Sequence, residues 1–289
     1  MLRKKSSRRI PSNAVRRRMA PRASRSAALD LDRFYQRILA AWHVQVLAKL
    51  EPVIRQFSVT TADPLQGEGM ARIDAALAEP VRAALDGLQI RMGEEFEPGK
   101  LRGPLARYAK QVEGSNRKVQ LSGINPLHAS PGLATASDVY LTNNIRLIRS
   151  IPDRELGEVQ KIFANPETKT LRVEQIRKLV QERFEVSKSR ATLIARDQTL
   201  KLNGQITKVR QQRAGVSRYI WTTSADERVR GNPDGTWPKG NHWELDGTIQ
   251  DWNAPPIVDE RTGRRGHPGE DYQCRCTAVP FIEGVDDAT

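Results

Sequence analysis

The chain has two cysteines among 289 residues, separated by one arginine as Cys274-Arg275-Cys276. Upstream lie His242 and His267, half of its four histidines. Two thiols and two imidazoles are the nitrogen and sulfur ligands of a tetrahedral zinc site. A loop-rich segment with little core gains folding free energy from such a structural zinc. The CxC spacing is tighter than the CxxC of a standard finger. The bland alternative packs the thiols beside Trp221 and hydrogen-bonds the histidines to loop carbonyls. Cysteines two apart bridge only under strain, so reduced thiols in a cytosolic setting are the better reading.

The same region offers other chemistry. His242, His267, Asp246 and Asp251 could be drafted into a small metal-dependent nuclease, in which one His activates water. No spaced motif fixes nucleophile, base and metal together, so the expectation is a protein that is not an enzyme. A Ser-His-Asp set is poorer still, because neither His43 nor His128 lies near a nucleophile elbow. Asp226 can turn back on its own backbone or pair with Arg228 or Arg230. Those two arginines, two apart on an extended segment, could instead fork onto a carboxylate or phosphate. Trp221, Trp237, Trp243 and Trp252 read as the core of a small module rather than as a stacking platform.

The elements that must position these residues follow from hydrophobic periodicity. Leu31, Phe34, Ile38, Trp42, Val46, Leu50, Val53 and Phe57 recur every three or four residues, which predicts a helix started by Asp30. That helix is either core or a docking surface. A turn-rich break at 60–69 precedes a second helix through Ile73, Leu77, Val81, Leu85 and Leu88, with Pro80 bending or dividing it. Residues 93–136 are ambiguous, with one short helix around 105–112. Helices are expected at 137–149, 154–163 and 168–184. A further one is capped near Ser187, runs to Arg213 and ends at Gly215. Residues 216–223 read as a strand with Tyr219 and Trp221 on one face. Residues 274–280 read as a second strand, both thiols on one face and Arg275 on the other. The fold class is α+β: a mainly helical N-terminal region, then a small loop-rich C-terminal α+β module with a short antiparallel sheet.

Charge is unevenly placed. Arg3, Lys4, Lys5, Arg8, Arg9, Arg16, Arg17, Arg18, Arg22 and Arg25 stand in the first 28 residues without a carboxylate. Without those ten, the 47 basic residues fall to 37 against 34 acidic ones. Most of the formal charge of +13 is therefore a tail with little to bury, expected to be disordered in isolation. Such an arm suits salt-dependent, sequence-independent contact with nucleic acid. A solubilising tail and an organelle transit peptide share its composition. A secretory signal is excluded by the lack of an apolar stretch, and no apolar run approaches the roughly 20 residues of a membrane span.

Taken in order, Tyr219 to Arg230 (with Trp221, Asp226, Arg228 and Arg230), then His242-Trp243-Glu244-Leu245-Asp246-Gly247, His267-Pro268 and Cys274-Arg275-Cys276 form a specific series. It resembles the C-terminal signature of the phage Mu F-like minor head proteins, the phage head morphogenesis family. The resemblance covers roughly residues 170–280, with a longer loop at 231–241 than the compact family pattern. It implies a low-copy head protein in the virion, inside the capsid, made in the host cytoplasm. It further implies portal and capsid or scaffold partners, with DNA met through the arm and no membrane. The chain divides accordingly into a basic arm (1–28), a helical assembly region (29–165), a Mu F-like domain (166–282) and a tail (283–289).

Overall fold

The computed structural model describes residues 12–21, 23–60, 68–118, 131–165, 167–168 and 171–282. Among the described residues six helices come first: α1 (Asn13–Met19), α2 (Arg25–Thr60), α3 (Glu68–Glu95), α4 (Pro98–Lys118), α5 (Pro131–Ala164) and α6 (Val173–Arg213). Five short strands follow: β1 (Arg218–Thr222), β2 (Ile249–Asp251), β3 (Ile257–Asp259), β4 (Arg264–Arg265) and β5 (Thr277–Phe281). The α+β class and the helices-then-sheet order are as the sequence predicts. Residues 61–67 of the expected break, residues 119–130 of the ambiguous stretch and the 283–289 tail lie outside the described residues.

Several helices are longer than sequence punctuation suggests. Asp30 is no cap, because α2 begins five residues earlier, where the Ser24 hydroxyl accepts the Ala27 N–H at 3.1 Å. The buried stripe of α2 runs through Leu31, Tyr35, Leu39, Trp42, Val46, Leu50 and Ile54. Phe34 and Ile38, expected on that stripe, are only half-buried; Tyr35 is buried because its hydroxyl donates to Asn144 Oδ1 at 2.6 Å. Pro80 and Pro152 sit inside α3 and α5 without dividing them. A proline costs one ladder bond, and around Pro152 the burial of Ile148, Ile151, Leu156 and Val159 continues on both sides. The short helix predicted at 105–112 is the middle of the 21-residue α4.

The chain folds as two compact units, each assembled from separated segments. Among the described residues, one comprises those of 29–105 and 141–195, and the other those of 1–28, 106–140 and 196–289. α6 is a single unbroken helix from 173 to 213.

In the helical unit, Trp42 packs edge-on against Phe96, with ring centroids 6.0 Å apart. Beside them a buried carboxylate gathers three donors. Glu155 Oε1 accepts the Trp42 indole N–H at 3.0 Å, and Oε2 accepts the Ser187 hydroxyl at 2.5 Å. His43 Nε2 lies 2.9 Å from the same Oε2, its ring stacked 3.9 Å from that of Phe184. Ser187 is therefore no helix cap. It lies mid-helix because its hydroxyl is committed to Glu155.

In the other unit, β1 is the central strand of a three-stranded antiparallel sheet ordered β2-β1-β5. Tyr219 faces Gln250 on one side and Pro280 on the other, and Trp221 faces Ala278. Strand alternation sends Tyr219 and Trp221 into one cluster with Trp252, Val258, Cys274, Cys276 and Ala278. Ile220 goes to the opposite cluster with Ala20, Val279 and Phe281. A β3–β4 ribbon pairs Ile257 with Arg265. Gly215 (φ +78°) ends α6, and the Val216 N–H returns to the Gln211 carbonyl at 2.9 Å, as a helix C-terminus requires.

Gln211, fully buried, locks α6 to the sheet by donating to the Ala278 carbonyl and accepting from the Trp252 indole, both at 3.0 Å. Replacing Glu155 with alanine strands three buried donors in the helical unit. Urea unfolding should show a loss of about 3 kcal/mol or more; a variant of wild-type stability would contradict the role given to this carboxylate.

Candidate functional site

Three of the four expected zinc ligands converge. His242 Nδ1 lies 3.6 Å from Cys274 Sγ and 3.5 Å from Cys276 Sγ, and the three donor atoms fall within 4.8 Å of one another. The residues are 2%, 3% and 7% exposed, so the site is closed to any sizeable ligand. His242 stands on a turn tied down by Asn241 N–H to the Val258 carbonyl (3.0 Å) and Trp243 N–H to the Arg230 carbonyl (2.9 Å). Trp221 of β1 meets the His242 ring edge-on at 5.4 Å. Both cysteines precede β5 instead of lying on it, yet their sulfurs share one side while Arg275 turns the other way, as expected.

His267 is not with them. Its Nδ1 lies 2.9 Å from the Tyr219 hydroxyl, its ring packs 4.9 Å from that of Trp252, and its backbone N–H donates to Glu270 Oε2 at 2.7 Å. The predicted four-ligand set therefore loses one member. The hydroxyl that Tyr219 buries needs a polar partner, and His267 supplies it. Burial first, then Lys208, keep the His267 pKa below its ordinary value.

Behind His242 stands Asp271, whose Oδ2 is 3.3 Å from Nε2. Arg264 forks both Asp271 oxygens at 2.6 and 2.8 Å, and Arg230 approaches to 3.5 Å. Burial opposes a charged His242 ring, but Asp271 and Cys274 outweigh it and raise the pKa to about 9. Burial also disfavours an ionised Asp271, and His242 and Arg264 reverse this, leaving it below the carboxylate range. The hydrogen bond between the two sulfurs holds the Cys274 thiol well below its ordinary value and Cys276 well above it. Nothing in the sequence marks Asp271 for this role beyond its place three residues before Cys274.

The remaining motif residues form ionic clasps. Arg275 forks Asp226 with two bonds of 2.5 Å, and the Arg228 N–H closes a turn on Asp226 at 3.0 Å. The Asp226 pKa is lowered by the Arg275 hydrogen bond foremost. The turn was expected; the side-chain partner is Arg275, not Arg228 or Arg230. Residues 226–231 are a run of turns, so the two arginines do not share an extended face, and Arg230 donates to the Tyr272 carbonyl.

Asp246 is structural. One oxygen accepts the Thr223 N–H (2.8 Å) and hydroxyl (3.1 Å), and the other accepts Arg16 (2.6 Å). Arg16, assigned from composition to a disordered arm, is thus 5% exposed on α1. Arg17 and Arg25 are exposed on helices; Arg3, Lys4, Lys5, Arg8, Arg9, Arg22 and the Arg18 side chain lie outside the described residues. With Asp246 capping, Asp251 turning onto Asn253 N–H (2.6 Å) and the two histidines apart, the nuclease set does not assemble. Trp221 and Trp252 are core, whereas Trp237 (61%) and Trp243 (37%) are exposed, contrary to expectation.

Residues 168–279 match the family model described as Phage Mu protein F like protein. This stretch is what the chain shares with that family model. The chain is also 31% identical over 157 residues to an uncharacterized protein of Haemophilus influenzae strain Rd. That alignment takes in 54% of this chain and 32% of the relative, so the chain spans about a third of the length of the curated protein it matches. No solved structure matches.

Within the Mu F-like stretch, Pro268 and Gly269 close over α6. A Cβ on Gly204 of that helix would stand 2.7 Å from the Pro268 carbonyl oxygen, well inside van der Waals contact. Gly247 (φ +80°) donates its N–H to the Trp221 carbonyl at 2.8 Å, holding the Asp246 turn against β1. Alanine normally stabilises a helix interior over glycine by about 1 kcal/mol. Gly204→Ala should instead destabilise the protein by about 1–3 kcal/mol. Gly157→Ala in α5, where a Cβ meets nothing within 4 Å, should stabilise it. Chemical denaturation of both variants checks the contrast, and a stabilised Gly204→Ala would refute the close approach.

Proposed function

We propose that the chain is a minor head protein acting in phage head morphogenesis, working at the portal and capsid interior rather than as an enzyme. The observation that carries this reading is the Mu F-like match over residues 168–279. The site chemistry supports the non-enzymatic part. The carboxylates singled out from the sequence are committed to clasps or turns (Asp226 to Arg275, Asp246 to Arg16 and Thr223, Asp251 to Asn253), and the Cys/His cluster is buried. Among the described residues no helix is long and apolar enough to cross a membrane, in keeping with a life in the assembling head.

DNA is the partner proposed for the N-terminal arm, with the cationic set reduced from the ten expected. Arg16 is held by Asp246, so the phosphate-binding role is given to the other nine: Arg3, Lys4, Lys5, Arg8, Arg9, Arg17, Arg18, Arg22 and Arg25. A capsid interior filled with DNA presents dense phosphate, and lysine and arginine neutralise it with release of counterions.

Disrupting the gene in the genome that encodes it should abolish infectious particles, and a plasmid copy should restore them; normal titres without the gene would refute the head role. Deleting residues 1–11 should lower affinity for duplex DNA. It should also flatten the salt dependence by about 0.9 in log–log slope for each phosphate the arm no longer neutralises. Binding with an unchanged slope would remove the arm from the proposal.

A further inference from the structure

We propose that Cys274, Cys276 and His242 hold one zinc ion, with His242 bound through Nδ1 and Asp271 as its supporting carboxylate. The donor set comes first: two thiolates and an imidazole are ligands that select zinc over the oxygen-seeking cations. Geometry follows. Zinc–sulfur and zinc–nitrogen bonds of about 2.3 and 2.0–2.1 Å at a tetrahedral angle set sulfur and nitrogen roughly 3.5–3.6 Å apart. The observed Nδ1–Sγ separations are 3.6 and 3.5 Å.

The surroundings are those of a metal site rather than of three packed side chains. A ligating histidine characteristically presents its second nitrogen to a carboxylate, which fixes the ring and raises its basicity. Nε2 of His242 faces Asp271, which Arg264 in turn holds by a two-bond fork. Trp221 is fully buried, and its Nε1 donor has no conventional acceptor; it lies beside Cys276. The Gly269 N–H lies beside Cys274. Buried N–H groups beside the sulfurs suit thiolates, whose charge they help to spread.

No fourth His, Cys or carboxylate donor stands with the trio among the described residues. Three protein ligands plus water are the arrangement of catalytic zinc. Burial argues for a structural ion here, since a substrate has no approach to ligands that are 2–7% exposed. Zinc would tie the His242 turn to the residues entering β5, across a stretch of turns with few ladder bonds. As it binds, the protons held on the cysteine sulfurs and on His242 Nδ1 leave to solvent.

The test is elemental analysis of the full chain, purified without chelator and without a histidine tag. One zinc per chain is expected, and loss of it should lower the melting temperature. Cys276→Ser and His242→Ala should lose the ion, whereas His267→Ala should keep it. Asp271→Asn should bind about 10–100-fold more weakly. In case the ligand variants fail to fold, cobalt substitution of the wild-type chain should give a thiolate-to-cobalt charge-transfer band. Metal-free protein that gains no zinc or cobalt on titration would overturn the proposal. So would zinc retained by the Cys274→Ser/Cys276→Ser double variant, or zinc lost from a folded His267→Ala.

Discussion

The stretch between β1 and β5, residues 223–276, must cover a small core with almost no regular hydrogen bonding. A buried backbone or carboxylate group left unpaired there costs as much as the hydrogen bond it lacks. The chain meets this constraint with aspartates that each serve two masters. Asp226, Asp246 and Asp271 each take a guanidinium (from Arg275, Arg16 and Arg264) and one or more backbone N–H groups. Every one of these clasps joins segments that have no ladder between them. The Cys/His cluster sits inside this frame, and its burial depends on it.

The helical unit solves the same problem with different means. Helices satisfy their own backbone, so only side chains need partners, and one carboxylate, Glu155, collects donors from α2 and α6. The cost of burying it is offset by three hydrogen bonds of good geometry. It also fixes which residues of neighbouring helices face each other, something apolar packing specifies loosely.

Much of this was legible beforehand, and the exceptions are instructive. Period-3.6 patterning identified α2, and period-2 alternation put Tyr219 and Trp221 on one face, because both signals are local. Within α2, two positions were misassigned by one residue each: Tyr35 and Leu39 are buried in place of Phe34 and Ile38. A tyrosine can go inside only if its hydroxyl finds a partner, and Asn144 lies 109 residues away. The break expected between 149 and 154 and the cap expected near Ser187 fail for a related reason. Local preference breaks a helix there, and tertiary burial and the Glu155 bond override it.

By itself the sequence determined the residue types: a CxC pair, an imidazole and an ordered series of Trp, Asp, Arg and Gly whose Mu F-like character the family match bears out. It also determined the α+β order, since periodicity and turn chemistry are properties of neighbouring residues. Only the tertiary structure decided which histidine joins the thiols, which arginine meets which aspartate, and that Arg16 belongs to the folded module. Those choices rest on distances between residues as many as 230 positions apart, where sequence carries type but not separation. His242 and His267 are identical as letters; a tyrosine hydroxyl on β1 and a carboxylate beside the cysteines tell them apart.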